Sequence, residues 1–264
     1  MAAISTPSAS FSSSISSSTP QWKYDVFLSF RDVGLGVLFD KSLVKFRGHT
    51  LWMHDLLQEM GKNIVYKECP KEPGKRGKLW LFKDINDVLT KNTGTKAIQG
   101  IVLKLHKQRE AYWNPECFSK AHDLKLLILD NVHLLHEPKY LPNALRFPDW
   151  SGYPAKYFPS SFQQKSFDSL KFIQLKKSLK LIETLDFNKI PNLEKLVLED
   201  CINLRSLHPS IGVCKKLSFL NLKGCKNLKS LPSKFEMESL EILILSGCSN
   251  LKRIPEFGEN MESV

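Results

Sequence analysis

Several stretches of this sequence hold residue types that could do chemistry, and most of that chemistry concerns phosphate. Gly34-Leu35-Gly36 follows a buried-strand pattern. A dinucleotide fingerprint there needs a third glycine, so that backbone and pyrophosphate can approach closely, but Phe39 holds that position. No acidic residue follows in a clear second strand. Gly74-Lys75-Arg76-Gly77-Lys78 has the look of a phosphate loop, yet Cys69 stands where its first glycine belongs and Arg76 where its hydroxyl belongs. Without the hydroxyl and the cradle of backbone N–H groups, magnesium and phosphate have no seat. Residues 35–66 read as a helix from Leu35, a turn at 45–49, a strand at 50–53 and a second helix with Leu56, Leu57, Met60, Ile64 and Val65 on one face; His54 and Asp55 open it, where an acidic or accepting side chain caps a helix. The six cysteines include no Cys-x-x-Cys pair, so no zinc site is expected. The seven histidines and the scattered Ser and Asp show neither nucleophile-elbow nor metal-ligand spacing, and no catalytic residue is assigned.

The elements that must position any site come from a repeat. Leu193, Leu196 and Leu198 lead to Cys201, Leu204 and Leu207. The same spacing returns at Leu217, Leu220, Leu222, Cys225, Leu228 and Leu231, and again at Leu240, Leu243, Leu245, Cys248, Leu251 and Ile254. These copies are offset by 24 and then 23 residues. Leu170, Ile173 and Leu175 begin an earlier one. Leu-x-x-Leu-x-Leu-x-x-Cys-x-x-Leu is the leucine-rich-repeat signature, with cysteine in the Asn/Cys slot. The expected fold class is therefore α/β: a leucine-rich-repeat solenoid with a short curved parallel sheet. Each repeat gives one strand whose leucines can be buried only by its neighbours. Cysteines repeating in one slot, with no secretory signal in view, read as reduced core thiols.

Residues between the leucines should line up across the strands. One column takes Phe172, Lys195, Phe219 and Ile242; the next takes Gln174, Val197, Asn221 and Ile244; a third takes Lys176, Glu199, Lys223 and Ser246. Aromatic, aliphatic and charged groups mixed in this way suit a protein-binding face. The plainer alternative is side-to-side packing on an unused sheet. The net charge of +11 permits a polyanion partner, but no recognition helix, RNP-like strand or Cys/His finger accompanies it. A nucleic acid is not the expected partner. No apolar run approaches the roughly 20 residues of a membrane span. Residues 1–20 are Ser-rich and free of charged side chains, which reads as a disordered leader.

Several segments resemble a known family. Tyr24 to Asp32 resembles the first strand of a TIR domain. Gly34 to Val44 and Met53 to Val65 resemble the winged-helix end of the NB-ARC nucleotide-binding module in plant disease-resistance proteins, and Met53-His54-Asp55 is similar to that family's MHD motif. The resemblance implies that His54 and Asp55 would lie near ADP phosphates in a complete module; helix capping is the reading of the residues themselves. Residues 72–89 resemble the same family, as a basic loop and a short helix bearing Ile85, Val88 and Leu89. In the family a strand corresponding to 96–105 opens the repeat domain, and 141–162 corresponds to its second repeat. There Trp150 and Tyr153 are read as packing, and Pro148 falls inside a strand. A full repeat that the family places near 163–169 is not found, so an irregular junction is expected there.

The resulting organisation is a leader at 1–23, a TIR first strand at 24–32, a partial winged-helix segment at 33–95 and the repeats at 96–264. The resemblance implies a role in plant defence and signal transduction. With the TIR catalytic Glu region and the phosphate loop absent from this sequence, the expectation is a non-catalytic interaction fragment. No cofactor is expected, and ADP only where the rest of the NB-ARC module is supplied. A protein partner is expected: a pathogen effector, a host guardee or a full-length receptor relative. The implied location is the cytoplasm, with the nucleus as alternative. Two other readings stay open: an ADP/ATP-switched, NAD-cleaving receptor if further exons exist, and a basic nucleic-acid-binding protein.

Overall fold

The computed structural model describes residues 44–47, 50–160, 162 and 165–259. The leader, the strand at 24–32 and the helix expected from Leu35 lie outside the described residues. The chain divides into two compact units, one up to Ile64 and one from Val65.

In the first unit, β1 (Val44–Arg47) pairs antiparallel with β2 (Thr50–Met53), in register from Val44↔Met53 to Arg47↔Thr50. The strand at 50–53 was expected. Residues 45–47, expected as turn, are strand, since pairing this close leaves only two residues between the strands. Helix α1 (Asp55–Glu68) follows, and the unit boundary falls within it. Its expected apolar face is only partly buried. Val65 is buried and Leu57 half-buried, but Leu56, Met60 and Ile64 are exposed. These three recur every four residues, one stripe along the helix, while Val65 points about 100° away from Ile64.

The second unit is built on an eight-stranded parallel sheet. Its strands are β3 (Lys78–Leu79), β4 (Gly100–Ala111), β5 (Leu126–Leu134), β6 (Phe147–Trp150), β7 (Phe172–Gln174), β8 (Lys195–Val197), β9 (Phe219–Asn221) and β11 (Ile242–Ile244). They lie side by side in that order. Two short strands, β10 (Lys234–Phe235) and β12 (Glu256–Phe257), pair parallel with each other outside it. The sheet opens at Lys78–Leu79, which pairs with Gly100–Ile101, so it takes in residues on both sides of the expected 95/96 boundary. The strand expected at 96–105 starts at Gly100 and runs on to Ala111, with a register shift against β5 between Lys104 and Arg109.

The spaced leucines do what the spacing demands. Leu193, Leu196, Leu198, Leu204, Leu217, Leu220, Leu222 and Leu228 are buried, with Cys201 and Cys225 in the same core. Fully burying each leucine stabilises the fold by about 1.5–3 kcal/mol. The corresponding residues of the last repeat, Leu243, Leu245, Cys248 and Leu251, are half-buried, since among the described residues a neighbouring sheet strand packs on one side of them. The chain enters the left-handed region at Asn131 within β5 and again just after the later strands, at Gly152, Lys177, Asp200, Gly224 and Gly247, all with positive φ. This conformation suits Gly or Asn, and Lys177 and Asp200 hold it against a steric cost. What holds it is the next rung. The N–H of Lys177 donates to Glu199 O at 2.8 Å, that of Asp200 to Lys223 O at 2.7 Å and that of Gly224 to Ser246 O at 2.8 Å.

The thiols complete the same corner. Cys201 Sγ donates to Leu175 O at 2.9 Å, Cys225 Sγ to Leu198 O at 3.1 Å and Cys248 Sγ to Leu222 O at 3.1 Å. Ser178 fills the slot one repeat earlier, and its hydroxyl donates to Leu175 O at 2.8 Å. Each group adds a hydrogen bond to a strand-end carbonyl that already has one donor: Leu198 O also accepts the N–H of Cys201 at 3.2 Å, Leu222 O that of Cys225 at 3.1 Å, and Leu175 O takes both Ser178 and Cys201. Burial pushes the Cys201 thiol up to about 12 and raises that of Cys225 as well, so both stay protonated donors. All six cysteines are free thiols.

The junction before Leu170 is irregular, as expected. β6 and β7 share the single register pair Asp149↔Gln174. Aromatic rings fill the space that regular leucines would occupy. Trp150 meets Tyr153 edge-on at 5.4 Å, Tyr153 stacks near Phe158 at 5.6 Å, and Phe162 stacks on Phe167 at 3.9 Å. Trp150 and Tyr153 are thus core residues. Pro148 is tolerated in β6, where it sits opposite Leu127.

The start of the sheet is closed by helix α2 (Phe82–Lys91), whose Ile85, Val88 and Leu89 are buried as expected. It ends at Asn92, in the left-handed conformation with φ 51°. Arg76 lies under this cap with 2 % exposure. Its Nε donates to Cys69 O at 2.8 Å, one terminal nitrogen to Pro70 O at 2.8 Å and the other to Asp84 Oδ2 at 2.5 Å. The guanidinium also lies 4.6 Å from the centre of the Tyr66 ring. The stretch that looked like a phosphate loop is a structural clamp.

Candidate protein-binding face

The sheet register sets the columns. Phe172 faces Lys195, Lys195 faces Phe219, and Phe219 faces Ile242. Gln174, Val197, Asn221 and Ile244 form the neighbouring column in the same register. Parallel strands alternate their side chains, so these residues share the face opposite the leucines, about 4.8 Å apart from rung to rung.

Their exposure divides them. Phe172, Lys195 and Phe219 are half-buried and Ile242 is exposed. Gln174 and Ile244 are half-buried, while Val197 and Asn221 are at 6 % and 9 % exposure. These last two form a floor with little surface to offer. Asn221 uses its Oδ1 to accept the N–H of Lys223 at 2.9 Å. The first column is ordered by its rings. Phe147 and Phe172 stack with centroids 4.2 Å apart and planes 3° from parallel. Lys195 Nζ lies 5.9 Å from the centre of the Phe219 ring, within cation–π range. Leu126 and Ile128 of β5 stand in these columns and are buried, so the accessible face begins at Phe147.

Charge lies in the third column. Glu199 sits between Lys176 at 3.5 Å and Lys223 at 3.3 Å. Burial alone would raise its carboxyl, but the hydrogen bond from Lys223 and the charges of both lysines hold it below the usual range. Asp149 goes the other way. Burial pushes its carboxyl up, and the hydrogen bond from Gln174 Nε2 at 2.7 Å with the charges of Lys104 and Lys176 does not offset that.

A folded-state value above the unfolded one means that the neutral form is favoured by folding. The Asp149 contribution is complete below the unfolded value of about 3.9 and is lost as pH rises through the folded value. Asp149→Asn keeps an acceptor for Gln174 and removes the charge. The variant is expected to unfold at higher urea than the parent at neutral pH and to match it in acid. An unchanged midpoint at both pH values would show that Asp149 is not penalised by burial.

The columns and the thiol corner were visible in the leucine spacing. A second recurrence was missed, although it lies in the same copies: Asn203-Leu204-Arg205, Asn227-Leu228-Lys229 and Asn250-Leu251-Lys252. Asn203 Nδ2 donates to Leu179 O at 2.8 Å, Asn227 Nδ2 to Asn203 Oδ1 at 3.2 Å and Asn250 Nδ2 to Asn227 Oδ1 at 3.3 Å. The result is an asparagine ladder on the outside of the solenoid.

The structure places His54 and Asp55 at the start of α1 and far along the chain from the columns. His54 Nδ1 accepts the N–H of Leu56 at 3.2 Å, and its carbonyl accepts those of Leu57 at 2.9 Å and Gln58 at 3.2 Å. Asp55 stands in the first turn, where a negative charge is favourable. Both residues do the work of a helix start. Among the described residues no group of His, Cys, Asp and Glu could hold a metal ion, and no helix is long and apolar enough to cross a membrane.

Residues 28–69 match the winged-helix domain model of Roq1-like disease resistance proteins. TMV resistance protein N of Nicotiana glutinosa is 35 % identical over 231 residues, a match covering 80 % of this chain and 20 % of that protein. Disease resistance protein RPP2A of Arabidopsis thaliana is 34 % identical over 263 residues, covering 89 % of this chain and 20 % of that protein. The chain thus spans about a fifth of the length of these relatives. Among solved structures, the leucine-rich repeat domain of the type III effector XopL aligns with a TM-score of 0.36 and 18 % identity, over 56 % of this chain and 51 % of that one.

Proposed function

This chain belongs to the plant disease-resistance proteins of the TIR-type nucleotide-binding leucine-rich-repeat family, and from that premise we propose that it serves as a non-catalytic protein-interaction fragment of an immune receptor. The binding surface is the face carrying Phe172, Lys195, Phe219 and Ile242. One observation carries the reading: the register aligns these four residues in one column, with apolar rings part-exposed beside a cation. Aromatic residues are enriched at protein interfaces relative to the rest of the surface, and part-exposed rings held in register offer contact area at little entropic cost. The partner is a pathogen effector, a host guardee or a full-length receptor relative, met in the cytoplasm or nucleus.

Catalysis and nucleotide switching are not part of this proposal. His54 is engaged in starting α1, which favours capping over ADP contact. Adding NAD to the pure chain is expected to give no turnover, and ADP no saturable binding.

Phe219→Asp tests the face. The parent chain and the variant are immobilised, and captured proteins from infected leaf are compared. A partner held by the parent is expected to be lost from the variant, while the circular dichroism spectrum and urea midpoint stay the same. Equal capture by both chains would reject the face as the binding surface. Loss of the spectrum together with capture would show that Phe219 belongs to the fold.

A further inference from the structure

We propose that the outer edge of the last three repeats is a second binding surface, taking an acidic, extended segment of a partner protein. It is separate from the concave columns and is carried by different residues. In each repeat an Asn and a basic residue flank one inward leucine: Asn203 and Arg205 about Leu204, Asn227 and Lys229 about Leu228, Asn250 and Lys252 about Leu251. Leu204 and Leu228 are buried and Leu251 is half-buried, while all six flanking residues are exposed. Each Asn sits in the turn that leads to the inward leucine, and the basic residue directly follows that leucine.

The backbone locks the rows together. The N–H of Arg205 donates to Ile182 O at 2.8 Å and that of Lys229 to Arg205 O at 3.0 Å, and the N–H of Lys252 lies 3.5 Å from Lys229 O. The cations are therefore stacked at about one strand spacing, roughly 4.8 Å. Arg205, Lys229 and Lys252 have no ion-pair partner among the described residues. This separates them from the lysines of the concave face, where Lys176 and Lys223 already share Glu199. The asparagine ladder adds directed donors. Each amide has two N–H groups and spends one on the rung before it, which leaves one per rung to offer.

One side of the solenoid thus carries a row of fixed N–H donors next to a row of uncompensated cations. Carboxylates are acceptors only, and suit both. In an extended peptide, side chains on one face recur about every 6.6–6.8 Å, a mismatch that flexible Lys and Arg stems can absorb. A nucleic acid fits less well. The groups at the head of the same turns are Leu179, Ile202, Lys226 and Ser249, and none gives a ring on which a base could stack.

The test titrates the full chain against a labelled deca-glutamate peptide at low and at physiological salt. The parent is expected to bind saturably, and more weakly as salt rises. The triple variant Arg205→Gln, Lys229→Gln, Lys252→Gln is expected to bind about tenfold less tightly, the combined effect of three exposed ion pairs. A control triple, Lys67→Gln, Lys96→Gln, Lys107→Gln, has the same net charge and is expected to bind as the parent does. Phe219→Asp is also expected to bind as the parent does, so failure here is distinct from failure of the concave face. Lys229→Gln alone gives the reading should the triple variant lose its fold. The proposal is overturned by absence of saturable binding at low salt, or by equal loss in the control triple. Tighter binding of an oligothymidylate or of anionic lipid vesicles, lost in the strip variant, would assign the strip to another polyanion and overturn it too.

Discussion

Replacing Arg76 by Met is expected to destabilise the repeat unit by about 3–5 kcal/mol, the range for removing one partner of a buried ion pair. The side chain is 2 % exposed and meets three acceptors at once. Met fills the volume but leaves Asp84 as an unpaired, mostly buried carboxylate and leaves the carbonyls of Cys69 and Pro70 without donors. Lys does not rescue the loss, since one ammonium cannot span the forked geometry. Asp84 stands in the first turn of α2, whose Ile85, Val88 and Leu89 close the start of the sheet. The damage is therefore expected to expose the core at its opening strand. Urea unfolding followed by tryptophan fluorescence reports it, as Trp80, Trp113 and Trp150 all lie in this unit. A fall of less than about 1 kcal/mol, the worth of an exposed pair, would show that the clamp is not structural.

Phe167→Ala is the second large effect, at about 3–5 kcal/mol. Phe167 is fully buried and stacks on Phe162, while its N–H donates to Lys189 O at 2.7 Å. It lies where β6 and β7 share a single register pair, so few backbone bonds are present to compensate. Truncation removes a ring from the series running from Trp150 to Phe167 and leaves a void that neighbouring rings can only partly fill. Phe167→Leu, which keeps most of the volume, is expected to lose less than half as much. Equal losses for Ala and Leu would mean that the cost is not one of packing.

Residues governed by period were legible in advance. The leucines of the last three copies, the cysteine corner and the two columns through Phe219 and Asn221 follow from spacing alone, because a parallel solenoid leaves few options for register. Helix α2 was expected from the resemblance of residues 72–89 to the family, not from spacing. What escaped depends on contacts between residues without a period. Arg76 looked like part of a failed phosphate loop because its value lies in Cys69, Pro70 and Asp84, which no local pattern links. The aromatic filling from Trp150 to Phe167 replaces leucines, so the repeat signature fades where that packing is densest. Leu56, Met60 and Ile64 were placed on one apolar face and are exposed, because amphipathic spacing shows which residues lie together, not whether anything covers them. Val197 and Asn221 share the column's register but not its accessibility, which larger neighbours decide. The asparagine ladder was present in every copy and was passed over, since its amides bond to one another across rungs.

The left-handed turn, the thiol or hydroxyl at the corner and the backbone bonds between rungs are the same parts used again at each level. Across the four levels from Lys177 to Cys248 this corner keeps one geometry with different residues, so these levels behave as interchangeable letters. Duplicating or deleting one unit of about two dozen residues would change the length of the surface and the row of side chains it displays, and leave the joinery on either side as it was. Unequal exchange between copies would therefore alter the displayed surface without requiring a new fold.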